Sequence, residues 1–226
     1  QMERYVRWYR TGYMSPTGRC FDIGNTVRAA LHRFESTGEP FSGSTDPYSA
    51  GNGSIMRLAP VVLFYHPDAL AVNHFAAESS RTTHGAEEAG AGCRILAAIL
   101  HAGLLGKGKE EILLSVPPSD WMSPRLQGIA AGDHREKNSS EIRGSGYVVD
   151  SLEAALWSFH TTDSFEDAIL TATNLGDDAD TTAAVCGQVA GAHYGISGIP
   201  ARWLEKLWEK QRILDVAEEL LAAHST

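Results

Sequence analysis

Asn174-Leu175-Gly176-Asp177-Asp178-Ala179-Asp180-Thr181-Thr182 runs without a break into Ala183-Ala184-Val185-Cys186-Gly187-Gln188-Val189-Ala190-Gly191-Ala192-His193-Tyr194. Three carboxylates and two hydroxyls fall within six residues, at the head of a helix built mostly from small side chains. On a regular helix of about 3.6 residues per turn, carboxylates two positions apart diverge. They converge only where the backbone is still turning, and Gly176 permits that turn. Clustered oxygen ligands suit hard divalent cations. A helix N-terminus also favours anions, so an acidic helix cap fits the same residues. Glycine costs a helix ~1 kcal/mol relative to alanine. Gly187 and Gly191 therefore predict close backbone packing behind a fixed site.

Working outward, the dominant period is helical. Tyr5, Trp8 and Tyr9 share one face, as do Val27, Ala30, Leu31 and Phe34. Helices are expected over 67–79, 86–105, 109–115, 164–172 and from about 200 to 223. Asp150-Ser151-Leu152-Glu153 reads as a capping box ahead of an apolar run. Residues 40–60 are rich in Gly, Ser, Pro and Asn and read as a loop leading into a helix near Ile55. Residues 132–146 are polar and read as an exposed connection. The strand-like pieces are Val61-Val62-Leu63-Phe64 and Tyr147-Val148-Val149. The fold expected is all-α, a single compact domain of many orthogonally packed helices.

Composition narrows the function. The 226 residues carry 19 Lys plus Arg against 28 Asp plus Glu, a net charge of −9. Binding to a phosphate backbone draws on displaced cations and favours the opposite sign, so neither nucleic acid nor an acidic membrane surface is an expected partner. Cys20, Cys93 and Cys186 are far apart and form no CxxC. This argues against a cysteine zinc site and for a reducing, cytoplasmic setting.

Three more stretches carry possible chemistry. Gly51-Asn52-Gly53-Ser54-Ile55-Met56-Arg57 can expose backbone N–H groups to phosphate or ribose oxygens, or can be a plain turn. In Arg81-Thr82-Thr83-His84-Gly85, His84 can donate to a phosphate, bind a metal or simply sit at a helix start. Asp22, in Cys20-Phe21-Asp22-Ile23-Gly24-Asn25, is either a helix cap or a mobile acid.

Taken in order, these stretches resemble the ADP-ribosylglycohydrolase family, and most of all its bacterial branch typified by dinitrogenase reductase-activating glycohydrolase. The resemblance is carried by Gly176-Asp177-Asp178-Ala179-Asp180-Thr181, by Ile199-Pro200-Ala201-Arg202-Trp203, by Gly51-Asn52-Gly53-Ser54 with Met56-Arg57, by Thr83-His84 and by Gly146-Tyr147-Val148. It implies an all-α fold around two Mg2+ or Mn2+ ions and cleavage of the bond joining ADP-ribose to a protein side chain, arginine being the preferred acceptor. The resemblance makes Asp178, Asp180 and Thr181 metal ligands and Asp22 the mobile catalytic acid. Asn25, Asn52, Gly53, Ser54, Met56 and His84 would line the ribose and diphosphate pocket, with Tyr147 near the adenine. The family's other metal half-site, a Thr-Asp-Asp-Thr stretch with an upstream Glu, is not in this sequence. A domain over 1–226 lacking its N-terminal segment is the expectation, with half the metal centre. The implied partner is ADP-ribose or an ADP-ribosylated protein. An ADP-ribose-binding or crystallin-like structural protein without turnover is the alternative. A phosphatase-type reading of Asp178-Ala179-Asp180-Thr181 needs a preceding strand, and Asn174-Leu175 offers none.

Overall fold

The computed structural model describes residues 1–223. In chain order its helices are α1 Met2–Thr11, α2 Asn25–Thr37, α3 Gly53–Met56, α4 Ala59–Tyr65, α5 Ala69–Arg81, α6 Glu87–Leu104, α7 Lys109–Leu113, α8 Pro124–Ala131, α9 Val148–His160, α10 Phe165–Asn174, α11 Ala179–Tyr194, α12 Ala201–Leu204 and α13 Lys210–Ala222. Among the described residues there is no strand. Isolated bridges join Ser44 to His84 and Gly51 to Tyr147. None of these helices is long and apolar enough to cross a membrane.

Local chemistry sets several boundaries. Asp68 accepts from the backbone N–H groups of Leu70 and Ala71, both at 3.0 Å, and so starts α5. Ser164 does the same for α10 through Asp167 N at 3.0 Å. Glu87 and Glu88 lie in the first turn of α6, where the helix dipole favours negative charge.

The core is built around α6, α9 and α11. α6 packs on α5 and α11, and α9 packs on α10 and α11. Leu152, Leu156 and Phe159 on α9 are wholly buried, each side chain contributing ~1.5–3 kcal/mol by leaving water. The close approach expected behind the acidic turn exists, but glycines of α6 provide it. A Cβ on Gly103 would lie 2.8 Å from Ala192 Cβ, and one on Gly92 would lie 2.8 Å from Val148 Cγ2. Gly191 faces open space, and a Cβ on Gly187 would make ordinary contact with Ile169 at 3.4 Å.

Four more sequence expectations need correction. The helix expected from about 200 to 223 is two, α12 and α13, with Glu209 at φ 53° ahead of the second. Val61-Val62-Leu63-Phe64 is helical within α4, entered through a proline in its first turn. Val148 and Val149 open α9, so Asp150 and Glu153 sit inside that helix and form no capping box. Residues 132–146 are only partly exposed. They hold two short 3-10 turns, and His134, Ile142 and Gly144 are buried. Glu153 of α9, 6% exposed, is paired with Lys137 of this stretch at 2.6 Å and with Arg125 at 3.6 Å, so its buried charge is compensated.

At the chain's beginning α1 lies on α2. Arg10 forks onto Glu35 at 2.8 and 2.7 Å, and Tyr9 meets His32 at 2.9 Å. At the other end α13 lies on α4 and leaves Ile213, Val216 and Leu221 exposed.

Candidate functional site

Four chain segments meet at the head of α11. The turn into that helix places Gly176 and Asp177 consecutively in the left-handed region, with φ of 75° and 57°. Glycine takes this at no steric cost, and Asp is among the few other residues that tolerate it. Asp178 then occupies the N-cap position, yet its side chain makes no capping hydrogen bond. Its Oδ2 instead accepts from Asn52 Nδ2 at 2.7 Å. The carboxylate points across to the Gly-Asn-Gly loop and leaves its own helix uncapped.

Residues 144–147 are clamped between the two. Gly144 O accepts from Asp178 N at 2.8 Å, and Gly146 O accepts from Asn52 N at 3.0 Å. Val148 N donates to Ala50 O at 3.0 Å. Space explains the glycine at 144: an added Cβ would lie 3.1 Å from Thr182 Oγ1 and 3.2 Å from Gly176 O. Ser145 Oγ donates to Asp150 Oδ2 at 2.7 Å, and Asp150 is held in turn by Arg125 at 2.7 Å.

Thr83 and His84 lie beneath residues 51–53. His84 is buried, and its Nδ1 meets Thr83 Oγ1 at 2.8 Å. Burial above all, then the nearby Arg57 charge, pushes its pKa down to about 3, so the imidazole is neutral at physiological pH. Arg57 Nη2 donates to Thr83 Oγ1 at 2.7 Å, and its Nη1 donates to Gly53 O at 3.0 Å.

A cavity of about 220 Å3 opens beside this arrangement. Asp22, Gly24, Gly53, Met56, Arg57 and Thr83 help to line it, with Tyr5 and Trp8 from α1. Asp22 is exposed and sits at φ 50°.

The structure thus brings Asn52, Gly53, His84 and Asp178 into one cluster, with Met56 at its edge. Thr181 Oγ1 lies 3.7 Å from Met56 Sδ. Asp180 is exposed in the first turn of α11. Tyr147 is half-buried. Its hydroxyl donates to Glu88, and Arg125 lies 5.7 Å from its ring centroid. Burial, reinforced by Glu88, pushes the Tyr147 phenol up to about 12. Two expected residues stand apart. Ser54 is buried with its hydroxyl facing the core beside Cys93. Asn25 is exposed at the start of α2 and does not line the cavity.

Sequence reading left Gln188 without a role. Its Nε2 donates to Ile55 O at 2.9 Å and Met56 O at 3.1 Å, and its Oε1 accepts from Ala59 N at 2.8 Å. One side chain therefore ties the end of α3 and the start of α4 to α11. A lone amide among Ala, Gly and Val was the available signal. Ser145, Asp150 and Glu88 carried none.

The donor set can be tested against a divalent cation. Asp178, Asp180 and Thr181 offer two carboxylates and a hydroxyl, the hard oxygen ligands such an ion takes. Among the described residues neither carboxylate is in an ion pair with Lys, Arg or His. No group of three His, Cys, Asp or Glu gathers around a point among those residues. The residues fit a cation through part of its shell.

Residues 2–226 match the model of the ADP-ribosylglycohydrolase family. The chain is 49% identical over 215 residues to an ADP-ribosylarginine hydrolase, Tri1, of Pseudomonas putida, covering 95% of this chain and 57% of that protein. It is 32% identical over 212 residues to the ADP-ribosyl-dinitrogen reductase glycohydrolase of Rhodospirillum rubrum, covering 91% and 64%. A solved ADP-ribosylglycohydrolase-related protein complex superposes with a TM-score of 0.84 at 40% identity, over 98% of this chain and 72% of that one. The chain thus spans under two thirds of the length of these curated relatives.

Proposed function

Because this chain belongs to the ADP-ribosylglycohydrolase family, we propose that the cluster at the head of α11 binds ADP-ribose and serves its hydrolytic removal from a protein side chain. Arginine is the acceptor that the names of the similar hydrolases support. The observation that carries the reading is the 2.7 Å bond between Asn52 and Asp178. It joins a loop suited to phosphate and ribose oxygens to a turn suited to a cation.

In this reading Asp178, Asp180 and Thr181 hold a Mg2+ or Mn2+ ion, which when bound supplies Lewis-acid orientation of ribose hydroxyls. The chain's own residues do the rest. Residues 51–53 and His84 receive the ribose and diphosphate, and Asn52 fixes Asp178. Asp22, at the mouth of the cavity, moves a proton to or from the reacting water or the leaving guanidine. Water adds to the anomeric carbon, the carbon–nitrogen bond breaks, and the nitrogen leaves with a proton. Charge builds on the ribose as in other glycoside cleavages.

The test is release of ADP-ribose from ADP-ribosylated arginine with and without Mg2+ or Mn2+. Asp178→Ala and Asp180→Ala are expected to abolish metal-dependent release. Undiminished turnover in both overturns the mechanism. Among the described residues no three His, Cys, Asp or Glu side chains converge on one point around Asp178 and Asp180, and this favours a second reading, ADP-ribose binding without turnover. Calorimetric binding of ADP-ribose with no release from the modified arginine selects it.

A further inference from the structure

Thr83 is wholly buried, and its Oγ1 has two neighbours, Arg57 Nη2 at 2.7 Å and His84 Nδ1 at 2.8 Å. A guanidinium can only donate, so Thr83 accepts from Arg57. Among the described residues the Thr83 hydroxyl proton then has one hydrogen-bond acceptor, His84 Nδ1. An Nδ1–H tautomer would strand that hydroxyl proton in a buried site, at a cost of ~1–3 kcal/mol. Hence Nδ1 accepts and Nε2 carries the proton. Among the described residues nothing hydrogen-bonds to Nε2.

The glycines show where Nε2 faces. A Cβ on Gly53 would lie 2.9 Å from His84 Cε1 and 3.2 Å from Nε2, and one on Gly51 would lie 3.4 Å from Nε2. A side chain at Gly53 would crowd this edge of the ring, and one at Gly51 would touch it. Arg57 also ties Gly53 O to Ser79 O, which it reaches through Nη2 at 3.2 Å, so one guanidinium fixes both the loop and the ring below it.

We propose that Arg57 and Thr83 are positioning residues: they lock His84 as the Nε2–H tautomer, and this N–H is delivered between Gly51 and Gly53 to an oxygen of bound ADP-ribose. The delivery rests on the ADP-ribose reading of the site, whereas the lock rests on the hydrogen bonds alone.

Nitrogen NMR of histidine-labelled protein reads the lock without any ligand. Wild type is expected to show an unprotonated Nδ1 and a protonated Nε2 at His84, and ADP-ribose is expected to shift the Nε2–H resonance. Thr83→Val is expected to mix the tautomers and weaken ADP-ribose binding at least about tenfold, the loss of about one hydrogen bond. Thr83→Ser keeps the hydroxyl and is expected to restore both. Arg57→Lys cannot fork onto Gly53 and Thr83 together, and the tautomers are expected to mix there too. An Nδ1–H ring in wild type overturns the proposal even if Thr83→Val fails to fold. So does a folded Thr83→Val with wild-type tautomer and affinity, while unmixed tautomers in Arg57→Lys remove Arg57 from the lock. A locked ring in a wild-type protein that ignores ADP-ribose overturns the ADP-ribose reading and the delivery, and leaves the lock standing.

Discussion

Lowering the pH from 7.5 to 5.0 is expected to destabilise the fold through two buried histidines. His84 is 3% exposed and His134 is 0% exposed. Among the described residues neither His134 ring nitrogen has a hydrogen-bond partner of good geometry, and the His160 ring lies 6.5 Å away. Burial first, then His160 and Arg135, push His134 down to about 4, while His84 lies at about 3. An unfolded histidine titrates near ~6.5. Below that pH the unfolded chain takes up protons that the folded chain refuses. Stability therefore falls as pH drops from about 6.5 towards each folded value. The slope is ~1.4 kcal/mol per pH unit for each ring. At pH 5.0 each ring costs about 2 kcal/mol and the pair about 4, a large part of the ~5–15 kcal/mol that holds a typical domain. Urea unfolding at the two pH values measures the difference. His134→Leu removes one of the two rings and is expected to halve the loss. Equal stability of wild type at both pH values, or an undiminished loss in His134→Leu, refutes the reasoning.

Three further outcomes are expected. Asn52→Ala removes the hydrogen bond that orients Asp178 and should weaken Mn2+ binding, followed by calorimetry, roughly 10–100-fold, as loss of a ligand's supporting partner does. Gln188→Leu strands the carbonyl of Met56 and the N–H of Ala59, leaves Ile55 O with its backbone partner Leu58 N alone, and should cost about 2–4 kcal/mol in urea unfolding. Gly43→Ala would drive a Cβ to 2.4 Å from Gly85 N, backbone that cannot swing aside, and should lower the melting temperature by several degrees, corresponding to roughly 3 kcal/mol or more.

Local sequence located α5 and α10, where the caps Asp68 and Ser164 stand ahead of apolar spacing, and α6 and α11, whose long runs of small and apolar residues contain no proline. It missed α4, whose valines read as strand, because packing overrides the β preference of a short branched run. It also missed the burial of residues 132–146. Glu153 and Lys137 are sixteen residues apart and meet only once α9 and the 3-10 turns are packed. At the site, the acidic turn and the Gly-Asn-Gly loop were legible as chemistry, one from carboxylate density and the other from glycine spacing. Their meeting was not, since Asn52 and Asp178 are 126 residues apart. Space is a property of the fold: it placed Ser54 in the core beside Cys93 and left Asn25 exposed, although both sit within motifs.

The most direct test is calorimetric titration of ADP-ribose, with Mg2+ present, into wild type and into Asp178→Asn and Gly53→Val. The first variant removes the charge at the head of α11, and the second puts a branched side chain over the His84 ring. Saturable binding by wild type, weakened in both variants while each keeps its fold by circular dichroism, is the expected result. Binding that both folded variants retain unchanged, or no binding by wild type, would contradict the claim that these two segments form one nucleotide-sugar site.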